Sequence, residues 1–469
     1  MTLRLLFLVS SVTTPVTLSA QAGPRPVAIE PHALAGSSAT LTLRELLDSV
    51  GAGHPMIAAA QARVRAARGL RTTAGALGNP MLALEVEGAP LPGRTAPAMD
   101  RQTMVTATLP LESFYQRGPR VRRADAEIRA VQSDAAATSE QIALDAVHAY
   151  YRTALAQVSL DAAQSVAAWL DTVVAYNRAR VKEGVAAEAD LIRSQVERDR
   201  AAADATMQEA DLARARAQLS TFLDQRETPP AGVVTDAGPL VVAIADAPLA
   251  MPGTLPFAVL PSLADRTVPR EAELERATTS RPQVIAAQER LDAAGAAVSG
   301  ERTMVLRELG ATVGTMRMAG NTSLVAGVSL PFPLFNQNRG EIARAKAEQD
   351  AARLELVAAE RAARAEVAGA YDAARLLTSR TTTLSAAGPD GVPLFLARAE
   401  EARRIALAAY REGAVPLFTV IDAARTWGEA RVAYYQTVFA QHESVLELMT
   451  AARIDLATAL PAGAAGAPR

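Results

Sequence analysis

The chain says the same thing twice. HPMIAAAQARVRAAR, from His54 to Arg68, returns as RPQVIAAQERLDAAG, from Arg281 to Gly295. LPLESFYQRG (Leu109 to Gly118) returns as LPFPLFNQNRG (Leu330 to Gly340), and VKEGVAAEADLI (Val181 to Ile192) as YREGAVPLFTVI (Tyr410 to Ile421). The three matches keep their order and nearly their offset. A period this long is not that of a small-unit solenoid. It marks a duplicated, domain-sized unit, so whatever one copy folds into must pair with a second, similar object in the same chain.

Each copy has the order helix, strand pair, long helix, turn, long helix. Helical patterning begins at Leu41, with Thr40 or Thr42 as cap and Glu45 in the acidic first turn, and runs to about Ala76 with a break from Gly51 to Pro55. After Asn79-Pro80 the apolar period changes from 3.6 to 2. Leu82, Leu84 and Val86 share one face of a strand over about 81–87, and Val105, Ala107 and Leu109 one face of a strand over about 103–109. In the second copy Leu324, Ala326, Val328 and Leu330 alternate over about 322–330. Its partner, over about 309–318, alternates less cleanly, and Gly310 and Gly314 are expected to weaken it. Runs of this length suit both soluble hairpins and membrane-barrel strands.

Pro110 closes the first strand pair, and Pro331 and Pro333 the second. From about Pro119 to Val181 no Pro or Gly intervenes, which predicts a helix of roughly 90 Å at ~1.5 Å per residue. Leu144, Val147, Tyr151, Leu155 and Val158 step along it by threes and fours, a coiled-coil stripe. A second helix over about 187–223, joined at Glu183-Gly184, makes an antiparallel hairpin. The second copy predicts helices over about 340–386, 392–412 and 416–460, with a break at Gly388 to Gly391. The resulting domain plan is a signal peptide (1–22), a disordered segment (23–40), a first repeat (41–223), a Pro-rich linker (224–270) carrying eight prolines, a second repeat (271–460) and a disordered tail (461–469). The signal peptide is read from Arg4, the apolar run Leu5 to Val9 and the small-x-small site Ala20-Gln21-Ala22. The remainder holds no apolar run long enough for a membrane helix.

Composition removes several classes of function. A formal net charge of −2 gives no nucleic-acid footprint. The absence of cysteine excludes disulfides, thiolate metal sites, a cysteine nucleophile and an acylated anchor. His32, His54, His148 and His442 are scattered and no Met-x-x-Met run occurs, so no metal site and no cofactor are expected. Nothing in the chain forms a nucleophile or phosphate-binding motif, so no enzyme is expected. Trp169 and Trp427 read as helix core, and Arg120, Arg122 and Arg123 as a solvated helix start.

Four strands cannot satisfy their edges in lipid alone, because a closed barrel needs about eight or more. If they enter a membrane, several chains must pool them. The alternative is a secreted or periplasmic coiled-coil scaffold with small soluble sheets. At this point the residues resemble a family. The duplication, strand pairs and helical hairpins resemble the outer-membrane efflux proteins of the TolC family. The phrase VSLPFPLFNQNRGEIARAKAE (Val328 to Glu348) is most similar to its CzcC-like, heavy-metal branch.

That resemblance implies a mainly α fold with a small β-barrel part: a homotrimeric duct of twelve strands through the outer membrane of a Gram-negative-type bacterium and twelve helices in the periplasm. It implies a periplasmic adaptor and an inner-membrane pump of the resistance-nodulation-division type as partners, and export of metal cations or drugs as the task. Leu82, Leu84, Val86, Val105, Ala107, Leu324 and Val328 would face lipid. Pro331, Pro333 and Gly340 form the strand-exit motif. The helical turns, with Gly184, Asp190, Tyr410, Gly413, Thr419 and Asp422, would be the periplasmic gate. There Tyr410 is expected to contact Asp190, and three copies of Asp422 to form an acidic ring. Val415 and Thr419 stand where the family carries a basic and an acidic residue.

Overall fold

The computed structural model describes residues 41, 43–88, 101–223, 270–307, 309–318, 320–330, 332–386, 388 and 392–453. The signal peptide, the segment 23–40, all of the linker but residue 270, the tail and Pro331 lie outside the described residues. The chain is mainly α with one small sheet. The first copy comprises α1 (Leu43–Gly53), α2 (Pro55–Gly75), β1 (Met81–Glu87), β2 (Gln102–Pro110), α3 (Glu112–Lys182) and α4 (Glu188–Ser220). The second comprises α5 (Arg270–Ser280), α6 (Pro282–Thr303), β3 (Gly310–Met318), β4 (Asn321–Ser329), α7 (Arg339–Leu384), α8 (Leu394–Arg411) and α9 (Leu417–Ala451).

α3 has 71 residues, roughly 105 Å at ~1.5 Å each. It starts earlier than its proline predicts. Pro119 lacks the N–H that would bond one turn back. The turn before it is held from outside instead: the Leu111 N–H donates to the Leu309 carbonyl at 2.7 Å, and the Tyr115 hydroxyl donates to the Leu306 carbonyl. Arg120, expected in solvent, donates to the carbonyl of Ala76, the residue that caps α2, and Arg117 to that of Gly75, its last residue.

α3 is the spine of the helical part: α1, α2, α4, α6 and α9 all pack against it. α7 packs on α5, α6 and α9, and α8 on α9. The predicted stripe is the largest core. Val147, Tyr151 and Val158 of α3 are buried with Leu43, Leu46 and Val50 of α1 and with Phe439, Leu446 and Met449 of α9. Where α5 turns into α6, Arg281 is buried, paired with Glu366 of α7 and donating to the Thr450 carbonyl of α9. No helix among the described residues is long and apolar enough to cross a membrane.

The strands form one antiparallel sheet in the order β1-β2-β3-β4. The two copies therefore meet in it, as β2 pairs with β3. Directly paired residues share a face. Leu82 pairs with Ala107, then Val313, then Ala326; Leu84 pairs with Val105, then Thr315, then Leu324; Leu109 pairs with Ala311, then Val328. All seven residues named as lipid-facing thus lie on one face, and Leu82, Leu84, Leu324 and Val328 are 68–77 % exposed. The opposite face is mixed, with threonines and glycines toward the helices, where the Thr108 and Thr312 hydroxyls lie 2.9 Å apart, and glutamates and methionines toward the hairpin connections. The glycines expected to weaken β3 have a reason to be there. A Cβ on Gly314 would sit 2.2 Å from the Val105 carbonyl oxygen, and one on Gly310 would sit 2.8 Å from the Ser329 hydroxyl.

Beyond β4, Gly340 of the strand-exit motif takes an ordinary place in the first turn of α7. The left-handed residue is Asn338, at φ 56°. Asn338 is buried and donates through its amide to the Glu301 carbonyl at 2.8 Å, while Arg307 donates to its side-chain oxygen. Pro333 lies in the exit loop next to Phe332, Leu334 and Phe335, three exposed apolar residues.

Candidate functional site: the two hairpin turns

The long helices reverse at two turns with one backbone design. After α3, the Gly184 N–H donates to the Val181 carbonyl and the Val185 N–H to the Arg180 carbonyl, both at 3.0 Å. After α8, the Gly413 N–H donates to Tyr410 at 3.0 Å and the Ala414 N–H to Ala409 at 2.8 Å. Each pair is a Schellman motif, which needs a left-handed residue at its centre. Gly184 and Gly413 supply it at φ 75° and 76°.

The side chains differ. Tyr410, at the end of α8, is buried, and its hydroxyl donates to Asn177 of α3 at 2.6 Å. The expected Tyr410–Asp190 contact is therefore not what holds the tyrosine. Asp190, half-buried in the first turn of α4, acts on it only through space. Burial pushes the Tyr410 phenol above its ordinary value, and the negative charge of Asp190 adds to this, while Asn177 and Arg180 pull it back. Tyr176 meets the Tyr410 ring edge-on at 5.9 Å and donates to the Arg411 carbonyl at 3.3 Å. The Arg180 guanidinium lies 5.6 Å from the Tyr176 ring centre and 5.8 Å from that of Tyr410. Around this cluster Leu170, Val173, Leu417, Val420 and Ile421 are buried, with Val415 half-buried against them. Thr419 and Asp422 are exposed on the first turns of α9.

Asn177 and Arg180 were not among the expected gate residues. A signal existed: Asn177 continues the buried series Leu170, Val173, Val174 on α3, and a polar residue in an apolar stripe often fixes a partner. Of the two tryptophans expected in the helix core, Trp169 packs against the cluster of Leu170 and Val173. Both are half-buried, and the Arg403 guanidinium of α8 lies 5.5 Å from the Trp169 ring and 4.5 Å from the Trp427 ring, tying α3, α8 and α9 together.

The family model described as outer membrane efflux protein matches residues 46–224 and again 274–452. The chain belongs to the outer membrane efflux protein family. Its two matches are the two copies, and its work is transport, not catalysis. Among solved structures, this efflux protein is similar to the outer-membrane channel OprN (22 % identity, TM-score 0.66, covering 87 % of this chain and 89 % of that one). It is similar also to the outer membrane protein VceC of Vibrio cholerae (17 %, 0.67, 87 % and 95 %) and to the CmeC outer membrane channel of Campylobacter jejuni (14 %, 0.69, 87 % and 85 %). No match was found among curated protein sequences. Among the described residues of the efflux protein, no group of three His, Cys, Asp or Glu has the arrangement to hold a metal ion.

Proposed function

We propose that three copies of this chain form a passive exit duct, with their sheets closing a twelve-stranded barrel in the outer membrane and their helical hairpins forming a periplasmic tunnel. The observation that carries this is the sheet. One face is apolar across all four strands for most of its height and ends at the hairpin side in the row Val86, Thr103, Arg317 and Thr322; β2 to β4 are nine residues each, and β1 and β4 have open edges. Lipid would cover that face, and neighbouring chains would cover the edges. Leu82, Leu84, Val86, Val105, Ala107, Leu324 and Val328 then meet acyl chains, with Leu109 and Val313 completing the band. Exposed Phe332 and Phe335 fall where the strands leave the bilayer.

The hairpin turns are the periplasmic entrance. Asp422, exposed beside the second turn, supplies a carboxylate to a ring of three that attracts cations and repels anions. Tyr410, seated on Asn177, holds the second hairpin against α3. A periplasmic adaptor and a pump of the resistance-nodulation-division type deliver the cargo. The Val328–Glu348 phrase favours the heavy-metal branch, hence metal cations over drugs.

The test is purification and reconstitution. The full chain should require detergent for extraction, run as a trimer, and conduct ions in planar bilayers. A protein released without detergent that runs as a soluble monomer would sink the duct.

A further inference from the structure

The polar face of the sheet is not uniform. Along β2 and β3 it reads Thr106, Thr108, Thr312 and Gly314 near the helices, and changes at the other end, where the hairpin connections lie. There the register sets Met104 of β2 directly opposite Met316 of β3, with Glu85 of β1 on the other side of Met104. One step further on the same face, Gln102 stands opposite Met318, with Glu87 beside it. Three thioethers and two carboxylates therefore share one corner of a face that elsewhere carries hydroxyls, glycines and amides with Met81, Ala83 and Val325 among them.

Space-filling does not account for them. The apolar band is on the opposite face and is built from Leu, Val and Ala. Met104 and Met316 are half-buried on the polar side, and the Gln102 amide donates to the Met316 sulfur at 2.7 Å, which holds that sulfur on this face. Directly opposed residues have Cβ atoms about 4.5–5.5 Å apart and diagonal ones sit about 7–8 Å apart, within reach of flexible methionine side chains. Sulfurs from Met104, Met316 and Met318 can thus converge on one point. Thioethers are soft donors, which select monovalent copper or silver over hard cations. Glu85 and Glu87 lower the potential for a positive charge without supplying the soft ligands.

Building on the duct reading, we propose that Met104, Met316 and Met318 form a binding site for a soft monovalent metal cation, Cu(I) or Ag(I), on the inner wall near the outward end of the barrel. The sequence shows only its Met316-Arg317-Met318 half, because Met104 comes from the other copy and joins them only through the β2–β3 register.

The test is calorimetric titration of the full-length protein in detergent with Ag(I) in chloride-free buffer. The lack of cysteine removes thiolate competition. Wild type should bind Ag(I), and the triple variant M104L/M316L/M318L, which nearly conserves volume, should lose one equivalent per chain or bind it at least tenfold more weakly. Identical isotherms for the two proteins would overturn the site, and so would Mg(II) binding as strongly as Ag(I). If the triple variant does not fold, methyl-labelled methionine NMR of wild type decides. The resonances of these three residues should shift first with Ag(I), and shifts confined to other methionines would overturn the site. Bilayer conductance is measured in parallel. Ag(I) binding at these residues without a pore would break the duct reading and leave the site standing. A pore with no difference between the isotherms would do the reverse.

Discussion

The two hairpin turns have the same backbone and opposite roles. Gly184 and Gly413 have φ within a degree of one another, and the flanking amides make equivalent bonds. The first copy nevertheless offers a receptacle, with Tyr176, Asn177 and Arg180 on α3. The second offers the piece that enters it, Tyr410 on α8, where the first copy has Val181. Duplication gave both halves one mechanical element. Side chains then made one half a socket and the other a plug, so the joint between the hairpins is an internal heterodimer of former equals.

The largest expected effect tests that polarity. Tyr410→Ala should destabilise the folded protein by about 3–5 kcal/mol, the range for emptying a buried aromatic site. It also leaves Asn177, fully buried and already with no partner for its side-chain nitrogen, without its donor. Val181→Ala at the matching position should change little. Thermal unfolding of both variants measures this, and equal losses would break the socket-and-plug comparison.

A second contrast lies midway along the helices, where each half contributes one histidine of opposite sign. His442 of α9 is buried beside Tyr151, which pushes its pKa down to about 4. The unfolded chain then binds its proton near pH 6.5 while the folded chain does not, so stability is full above that pH and falls as pH drops toward 4. The loss reaches about 3 kcal/mol at ~1.4 kcal/mol per unit. His148 of α3 faces Glu443 at 3.6 Å and Glu447 at 3.3 Å on α9, and these carboxylates, Glu443 foremost, raise its pKa. Its contribution is present below the unfolded value and disappears as pH rises through the folded one. Denaturation across pH 4 to 8 should show the acid limb flattened by His442→Leu, and the neutral-side loss removed by His148→Gln. A variant that leaves its own limb unchanged would refute that assignment.

The smallest effect concerns charge at the turns. Where the second copy has Asp422, the first has Arg193, and both are exposed. Asp422→Ala should lower cation selectivity of the reconstituted pore and Arg193→Ala should raise it, each about twofold, since exposed charges act on the scale of a few tenths of a kcal/mol. Shifts in the same direction would remove the acidic ring from the entrance.

The parts of this molecule that follow local rules were legible in the residues. Period-two alternation in MLALEVE and TSLVAGVSL marks strands, and the glycine after each long helix marks a reversal. What escaped depends on contacts between distant segments. The β3 glycines looked like weak points because the close approach of β2 is invisible along one strand. The seat of Tyr410 is not readable along the chain, because Asn177, the only neutral amide in its stretch of α3 to be fully buried among the described residues, reads as surface until α8 lies against it. Pro119 looked like a helix start because the outside hold from Leu309 and Leu306 comes from the other copy.

The sheet also has a history before it is finished. A lone chain carries two strands with unpaired edges and an uncovered apolar face, the combination that drives strands of separate molecules to zip together without register. Assembly order is therefore part of the fold. On the duct reading, chains must be kept apart until lipid and sister chains are both at hand, and any delay at that step favours aggregates over pores. The short β1, seven residues against nine in its neighbours, limits the length of the edge left open during that interval.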